Sequence, residues 1–227
     1  MTVATPDVTP DATTRLSTEM KQGSLVEHEQ AENSQFMAEL LDGRINEAGY
    51  IDYLQRLRIV YEALERTSRA LSTDPVMGRI DDPALDRLAA IDADLAVWLD
   101  GAAPQPVHSP AATAYAARIE DSASWGGRVL AHHYTRYLGD LSGGLAIGRI
   151  LDRTFGLDGA GLSFYSFTAL DVATKPYKDA YRRTLDEIGH ELDAADRSRI
   201  VDEVKVAFRL NHELFAELGA DIESYRR

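Results

Sequence analysis

The chain has no cysteine among its 227 residues. It therefore forms no disulfide, and it has no thiolate to act as a nucleophile or to hold an iron–sulfur cluster. A cysteine-free chain is compatible with a reducing compartment, and we expect a cytoplasmic protein. Any catalytic or metal chemistry has to use other side chains.

Basic charge and long apolar runs are also scarce. The formal net charge is −13, from 24 Lys and Arg against 37 Asp and Glu, which argues against nucleic-acid binding because phosphate contacts need a basic face. No apolar run approaches the roughly 20 residues of a membrane span. The first dozen residues lack the basic and apolar regions of a signal peptide. We predict a disordered tail at residues 1–13 and one domain at residues 14–227.

Apolar residues recur at helical spacing through most of the chain, and no segment is rich in strand signals. The spacing, together with capping residues, predicts an all-α, single-domain helical bundle. The predicted helices are residues 25–41, 46–71, 83–98 and 110–124, a long helix that follows a break at Gly126-Gly127 and ends at Gly156, residues 175–188, and a last helix capped by Asp193. Residues 159–168 are predicted to be irregular.

The long predicted helix contains four glycines, two of which, Gly139 and Gly143, share one face. Each glycine costs about 1 kcal/mol relative to alanine inside a helix. Two interpretations are open: close packing against another helix, or bare backbone that presses on a large flat ligand. Asp140 favours the ligand, because a carboxylate among the glycines can hold waters or a proton there.

His28 and Glu32 are spaced with Leu25 along one face of the predicted helix 25–41, a face that continues as apolar and should point to the core. One interpretation is a buried histidine whose ring is hydrogen-bonded to the carboxylate four residues on. The other is a metal ligand whose second ring nitrogen is held by that carboxylate.

Lys178 and Arg182 lie four residues apart on another predicted helix. They either form surface ion pairs with Asp179 and Asp186, or they bind a carboxylate of a ligand, for which arginine is well suited.

Two kinds of iron site suit a helical protein without cysteine. A carboxylate-bridged di-iron bundle needs paired Glu-x-x-His motifs, and the chain has one such motif, Glu187 to His190. A haem site needs an axial histidine, an apolar slot and cations for the propionates. His28 and the Lys178/Arg182 pair can supply these groups, with the glycine helix over the opposite haem face.

The segment 131–144, AHHYTRYLGDLSGG, resembles the distal-helix signature of the haem oxygenase family. The segment 28–37, HEQAENSQFM, is similar to the proximal segment of that family. Further similar segments follow in the family's order, and the resemblance extends from about residue 17 to residue 218, though it is faint between about 72 and 125. It implies an all-α fold with haem between a proximal and a glycine-rich distal helix, of the soluble bacterial type.

The resemblance implies a role for each matching residue. His28 corresponds to the iron ligand, and Glu32 to the residue that steadies its ring. Gly139 and Gly143 correspond to backbone that touches haem, Gly144 to a flexible position, and Asp140 to the carboxylate that orders distal waters. The remaining matches are Lys21, Tyr134, Lys178 and Arg182 for the propionates, Arg136 and Asn211 for the distal polar network, and Phe208 for the haem pocket. Pro176 and His133 depart from the family pattern.

The resemblance also implies the reaction. Haem b is both cofactor and substrate, and it is opened at a meso carbon with O2 to biliverdin, ferrous iron and carbon monoxide. Electrons come from an external reductase or ferredoxin. Two alternatives are a non-catalytic haem carrier or sensor on the same fold, and a helical interaction module that binds no haem.

Overall fold

The structure is a computed structural model that describes residues 15–227, so the predicted tail at residues 1–13 lies outside the described residues. The described part is helical, with one isolated antiparallel bridge between Ile45 and Arg226 and no strand. Its α-helices are α1 (Leu16–Gly23), α2 (Leu25–Glu32), α3 (Gln35–Leu41), α4 (Glu47–Ala70), α5 (Leu88–Trp98), α6 (Pro110–Asp121), α7 (Gly126–Gly139), α8 (Leu145–Phe155), α9 (Thr174–Glu191), α10 (Ala194–Ala220) and α11 (Ile222–Tyr225). The all-α prediction is confirmed.

Capping residues set several helix ends where the sequence predicts them. The side chains of Asn46, Ser109 and Asp193 accept hydrogen bonds from backbone N–H groups three residues on, at the starts of α4, α6 and α10. Gly156 adopts φ +66° after α8, a left-handed conformation that glycine takes without steric cost and that ends the helix.

The predicted helix 25–41 is two helices. Asn33 ends α2, and Ser34 is extended, with φ −61° and ψ 148°, before α3 begins. The break turns α3 relative to α2, so Phe36 and Leu40 are buried whereas Leu25 is 50% exposed. The prediction that Leu25, His28 and Glu32 face the core is therefore wrong.

Two other helix boundaries in the structure differ from the predicted ones. Pro83–Leu85 is a short 3₁₀ helix, and α5 begins only at Leu88, because a carboxylate oxygen of Glu65 accepts the N–H groups of Arg87 and Leu88. At the other boundary, Gly126 and Gly127 do not break the chain but form the first turn of α7.

Helix α4 lies at the centre of the bundle and packs against α5, α6 and α7, while α10 packs against α2, α6 and α7. Between α7 and α8 the chain makes a π-helical turn, Asp140–Gly144, which contains two of the glycines. Such turns inside α-helices are frequent at functional sites. None of the helices in residues 15–227 has a stretch long and apolar enough to cross a membrane.

Candidate functional site

His28 lies on α2 with its side chain 43% exposed, so a ligand can reach its ring. Its Nε2 atom is 3.5 Å from Oε1 of Glu32, which places the carboxylate four residues on beside the imidazole. The edge of the His28 ring also contacts Phe208 of α10, with ring centroids 5.1 Å apart and planes at 88°. Glu32 and Phe208 together fix how the imidazole is oriented.

The glycines of the long helix fall into two groups. A Cβ added at Gly139 or at Gly143 would have no atom of its surroundings within 4 Å, so this face of the helix borders open space. A Cβ at Gly144 or at Gly148 would lie 3.2 Å from the side chain of Tyr165. Gly144 and Gly148 therefore allow close packing, as the first interpretation of the sequence predicts. Gly139 and Gly143 leave backbone uncovered, where the second interpretation places a flat ligand.

Asp140 lies between the two uncovered glycines and is buried in a polar network. Tyr61 of α4 donates its hydroxyl hydrogen to Oδ2 of Asp140. Arg136, one turn earlier on α7, lies with Nη2 3.4 Å from Oδ1 of Asp140 and donates from Nε and Nη2 to the Tyr61 hydroxyl at 3.1 Å. The carboxylate is thus held from two helices.

The network continues to α10. Arg136 donates from Nη1 to Oδ1 of Asn211 at 2.7 Å, and Asn211 donates to the backbone carbonyl of Ala207 at 3.1 Å. Asn211 is one turn after Phe208, the residue that contacts His28. Helix α10 therefore joins the surroundings of His28 to the network around Asp140.

Burial dominates the electrostatics of this network. Burial raises the pKa of Asp140 above its ordinary value, and the neighbouring Arg136 and the hydrogen bond from Tyr61 oppose that rise without cancelling it. Asp140 also lines a cavity of about 170 Å³, together with Leu141, Tyr165 and Ser166. The cavity has room for several water molecules.

The predicted cationic residues lie on α1 and α9. Lys178 donates from Nζ to the Ser142 hydroxyl at 3.2 Å, which joins α9 to the π-helical turn. Arg182 is exposed and is paired with Asp179 at 3.4 Å. Burial raises the pKa of Tyr134, and Arg182 is close enough to oppose that rise. Lys21 is exposed on α1, which packs against α9.

Sequence reasoning missed three residues of the site. Tyr61 has the spacing of a buried helix face and Tyr115 lies in an alanine-rich helix, yet Tyr61 bonds to Asp140 and the Tyr115 hydroxyl lies 3.4 Å from Nδ2 of Asn211. Ser142, which lies directly before Gly143, is the partner of Lys178. No local signal distinguishes a tyrosine that only packs from one whose hydroxyl meets a residue 79 or 96 positions away.

These features define a helical protein that combines an accessible histidine, an uncovered glycine-rich backbone and a buried polar network, with α10 in contact with the histidine and with the network. The profile of the "Heme oxygenase" family matches residues 14–217. The chain belongs to the haem oxygenase family.

Individual relatives agree with this assignment. The chain is 36% identical over 208 residues to "Heme oxygenase 1" of Pongo abelii, covering 89% of this chain and 71% of the relative. It is 34% identical over 210 residues to "Heme oxygenase 1" of Nostoc sp., covering 91% of this chain and 87% of the relative. The crystal structure of heme oxygenase-1 from Synechocystis sp. in complex with heme is similar in fold, with a TM-score of 0.86, 32% identity and coverage of 93% of this chain and 96% of that one.

Proposed function

We propose that the chain is a haem oxygenase that binds haem b between His28 and the glycine-rich helix. It opens haem at a meso carbon to biliverdin, ferrous iron and carbon monoxide. O2 and electrons from an external reductase or ferredoxin are the co-reactants. The observation that carries the proposal is the set Gly139, Asp140 and Gly143, in which open backbone surrounds one buried carboxylate.

The donors that the chain offers fit haem. A ring nitrogen of His28 is accessible for iron, and Glu32 stands beside the imidazole to orient it. A histidine ligand, unlike a thiolate, does not push electron density strongly towards O–O cleavage. When bound, haem supplies the iron at which O2 is reduced.

Gly139 and Gly143 keep side chains out of the space in which haem would lie against the helix. Since a Cβ at either position would project into open space, glycine leaves that space for a flat ligand and for a small molecule above it. The π-helical turn at Asp140–Gly144 brings this backbone and the carboxylate to the same place.

Asp140 is positioned to order waters and to pass protons. Its carboxylate borders a cavity with room for several waters, and burial raises its pKa above the ordinary value. A carboxyl group beside waters can pass protons to them and take protons from them. Arg136 and Tyr61 hold the carboxylate in place, so it cannot swing towards the substrate and replace the waters.

Lys21, Tyr134, Lys178 and Arg182 bind the two propionates in this proposal. Arginine suits a carboxylate because its planar guanidinium donates two parallel hydrogen bonds. The contact between Lys178 and Ser142 supports the proposal, because it sets the cationic helix α9 directly beside the glycine turn.

Haem turnover by Asp140→Asn tests the proposal. With haemin, a reductant and catalase, the wild type should form biliverdin, while Asp140→Asn should bind haemin but form biliverdin about 100-fold more slowly or worse, the usual loss when a positioned acid–base group is removed. Asp121→Asn, at an exposed position at the end of α6, serves as the matched control.

Three results would contradict the proposal or one of its assignments. A haem spectrum that stays intact through reduction in the wild type would identify a carrier or sensor. Unchanged biliverdin formation by Asp140→Asn would exclude the proton-relay role. His28→Ala should abolish the histidine-ligated spectrum; if His133→Ala did so instead, the iron ligand would be misassigned.

A further inference from the structure

His133 is a second histidine on α7, directly after His132. It is buried, 1% exposed, and its Nδ1 atom lies 2.7 Å from the hydroxyl of Tyr181 on α9. The two rings are stacked, with planes 10° apart and centroids 5.8 Å apart. The pair therefore makes a specific, oriented contact between the distal helix and the helix that carries Lys178 and Arg182.

Tyr181 shares its face of α9 with Tyr177, one turn earlier. The Tyr177 hydroxyl donates to Oδ2 of Asp82 at 2.7 Å, so two consecutive turns of α9 are anchored by tyrosine hydroxyls. Further along the helix, a Cβ on Gly189 would collide with Leu16, which shows how closely α1 and α9 approach there. The anchors fix the rotation of α9 about its own axis as well as its position.

Each cation directly follows one of these tyrosines in the sequence. Lys178 follows Tyr177 and Arg182 follows Tyr181, so the cations form a second row about 100° further round the helix. Side-chain ends lie roughly 6 Å or more from a helix axis, so a rotation of α9 by about 10° would move the cationic groups by about 1 Å. The positions of both cationic groups therefore depend on the contacts that hold Tyr177 and Tyr181.

Burial lowers the pKa of His133 to about 3, so its ring is neutral at pH 7. A neutral imidazole has one donor and one acceptor nitrogen, so Nδ1 and the Tyr181 hydroxyl share a single hydrogen bond whichever group donates it. His133 is not available to the iron in this arrangement, because its Nδ1 is bonded to Tyr181 and its ring is packed between Tyr137 and Tyr181.

We propose that the His133–Tyr181 contact is a positioning device that sets the rotation of α9 and thereby the orientation in which Lys178 and Arg182 hold the haem. This inference rests on the proposed function, since the propionates are the groups that those cations bind. Because the orientation of the ring decides which meso carbon faces the distal network, His133 and Tyr181 are specificity-determining residues that act without touching haem.

The test compares Tyr181→Phe, which removes only the hydroxyl, with wild type. In the haem-loaded ferric protein, proton NMR of the haem methyl groups reports ring orientation without any turnover. We expect a second set of methyl signals in Tyr181→Phe and in His133→Phe, a second biliverdin isomer, and haem affinity reduced about two- to tenfold, as for loss of one buried hydrogen bond.

Two further variants separate positioning from general stability. His133→Asn places an amide near the Nδ1 position and should restore the single set of methyl signals. Tyr225→Phe removes a tyrosine–carboxylate hydrogen bond to Asp52 elsewhere in the molecule and should leave them unchanged.

Unchanged methyl signals and isomer composition in both Tyr181→Phe and His133→Phe would overturn the inference, as would a mixture in Tyr225→Phe equal to theirs. Absence of biliverdin from wild type with a normal haem spectrum would instead overturn the proposed function, while the NMR comparison would still decide the positioning role.

Discussion

Among the site residues, Gly139 is the one at which an effect on folding stability can best be separated from an effect on haem binding. A Cβ there has no neighbour within 4 Å, so nothing in the protein itself requires glycine at this position. Glycine at the end of α7 costs stability, because its backbone loses more freedom on folding than that of alanine. The residue is therefore unfavourable for the helix, and the proposed haem-binding face gives a reason for it.

We predict that Gly139→Ala stabilises the haem-free protein and weakens haem binding. Alanine should add about 0.5–1 kcal/mol to the free energy of unfolding. The methyl group would crowd a bound ring, and overpacking of about 1–3 kcal/mol corresponds to roughly five- to 150-fold in Kd. Urea unfolding of the haem-free protein and haemin titration measure the two effects.

Gly219→Ala is the control for this pair of measurements. Gly219 is also helical, and a Cβ there also meets no atom within 4 Å, but it lies at the far end of α10. It should give the stability gain with unchanged haem affinity. Tighter or equal haem binding by Gly139→Ala would show that the uncovered face is not the haem-binding face.

At the residue scale, the sequence predicts contacts between residues on one helix well and contacts between residues far apart in the chain poorly. Arg136 and Asp140 are one helical turn apart, so their contact follows from spacing alone. Tyr61 and Asn211 reach the same site across about 75 residues in each direction, and only the packing of α4 and α10 against α7 brings them there. Spacing along one helix carries no information about which other helix faces it.

Among the elements, α2 is a short helix that buries few of its side chains. It is eight residues long with Ala31 as its one buried residue, and Leu25 and Val26 are 50% and 63% exposed. Helices this short are marginal without tertiary packing. Because α2 carries His28, binding of haem to the histidine would supply packing that the helix otherwise lacks.

We predict that haemin slows amide hydrogen exchange most strongly in residues 25–32. Some amide hydrogens exchange only when the protein opens and releases haem. Their exchange should slow by up to about 100-fold when the free haemin concentration is 100 times the Kd. The buried central helix α4 should change little by comparison. Mass-spectrometric exchange on wild type and His28→Ala measures this, and uniform slowing along the chain, or equal slowing in His28→Ala, would contradict it.

The missed helix break at Asn33-Ser34 shows what periodicity leaves undetermined. Neither glycine nor proline marks that position, and the apolar spacing continues on both sides, so the pattern predicts one helix. The sequence does not predict the π-helical turn either, since glycines at residues 143 and 144 are compatible with an α-helix, a π turn or a helix end. By contrast, capping side chains at Asn46, Ser109 and Asp193 predict helix starts that the structure confirms.

At the scale of the whole molecule, Glu203 joins three helices. Its carboxylate accepts hydrogen bonds from Arg118 of α6 at 2.6 and 2.8 Å and lies 3.0 Å from Nε2 of His132 on α7. Burial alone would raise the pKa of Glu203, but the hydrogen bonds from His132 and Arg118 outweigh burial and lower it to about 2. Burial also lowers the pKa of His132, so we assign it as a neutral donor to an ionised carboxylate.

We predict that Glu203→Gln destabilises the protein at neutral pH by an amount that disappears in acid. A pKa lowered in the folded state means that the carboxylate stabilises the fold above its unfolded pKa, and this contribution is lost as pH falls from about 4.5 to about 2. At about 1.4 kcal/mol per pKa unit, the difference between wild type and Glu203→Gln should be on the order of 3 kcal/mol at pH 7. It should shrink steadily towards pH 2.

Urea unfolding at pH 7, 5 and 3 measures this difference, and Glu213→Gln supplies the control because Glu213 is exposed on the same helix. Removing that exposed carboxylate should change the free energy of unfolding by no more than about 0.5 kcal/mol at any of the three pH values. A Glu203→Gln difference that stayed constant with pH would mean that the shape of the side chain, and not its charge, joins α6, α7 and α10. If the difference instead falls with pH as expected, the ionised carboxylate itself holds α7 to its neighbours, and with α7 the part of the molecule that carries Arg136 and Asp140.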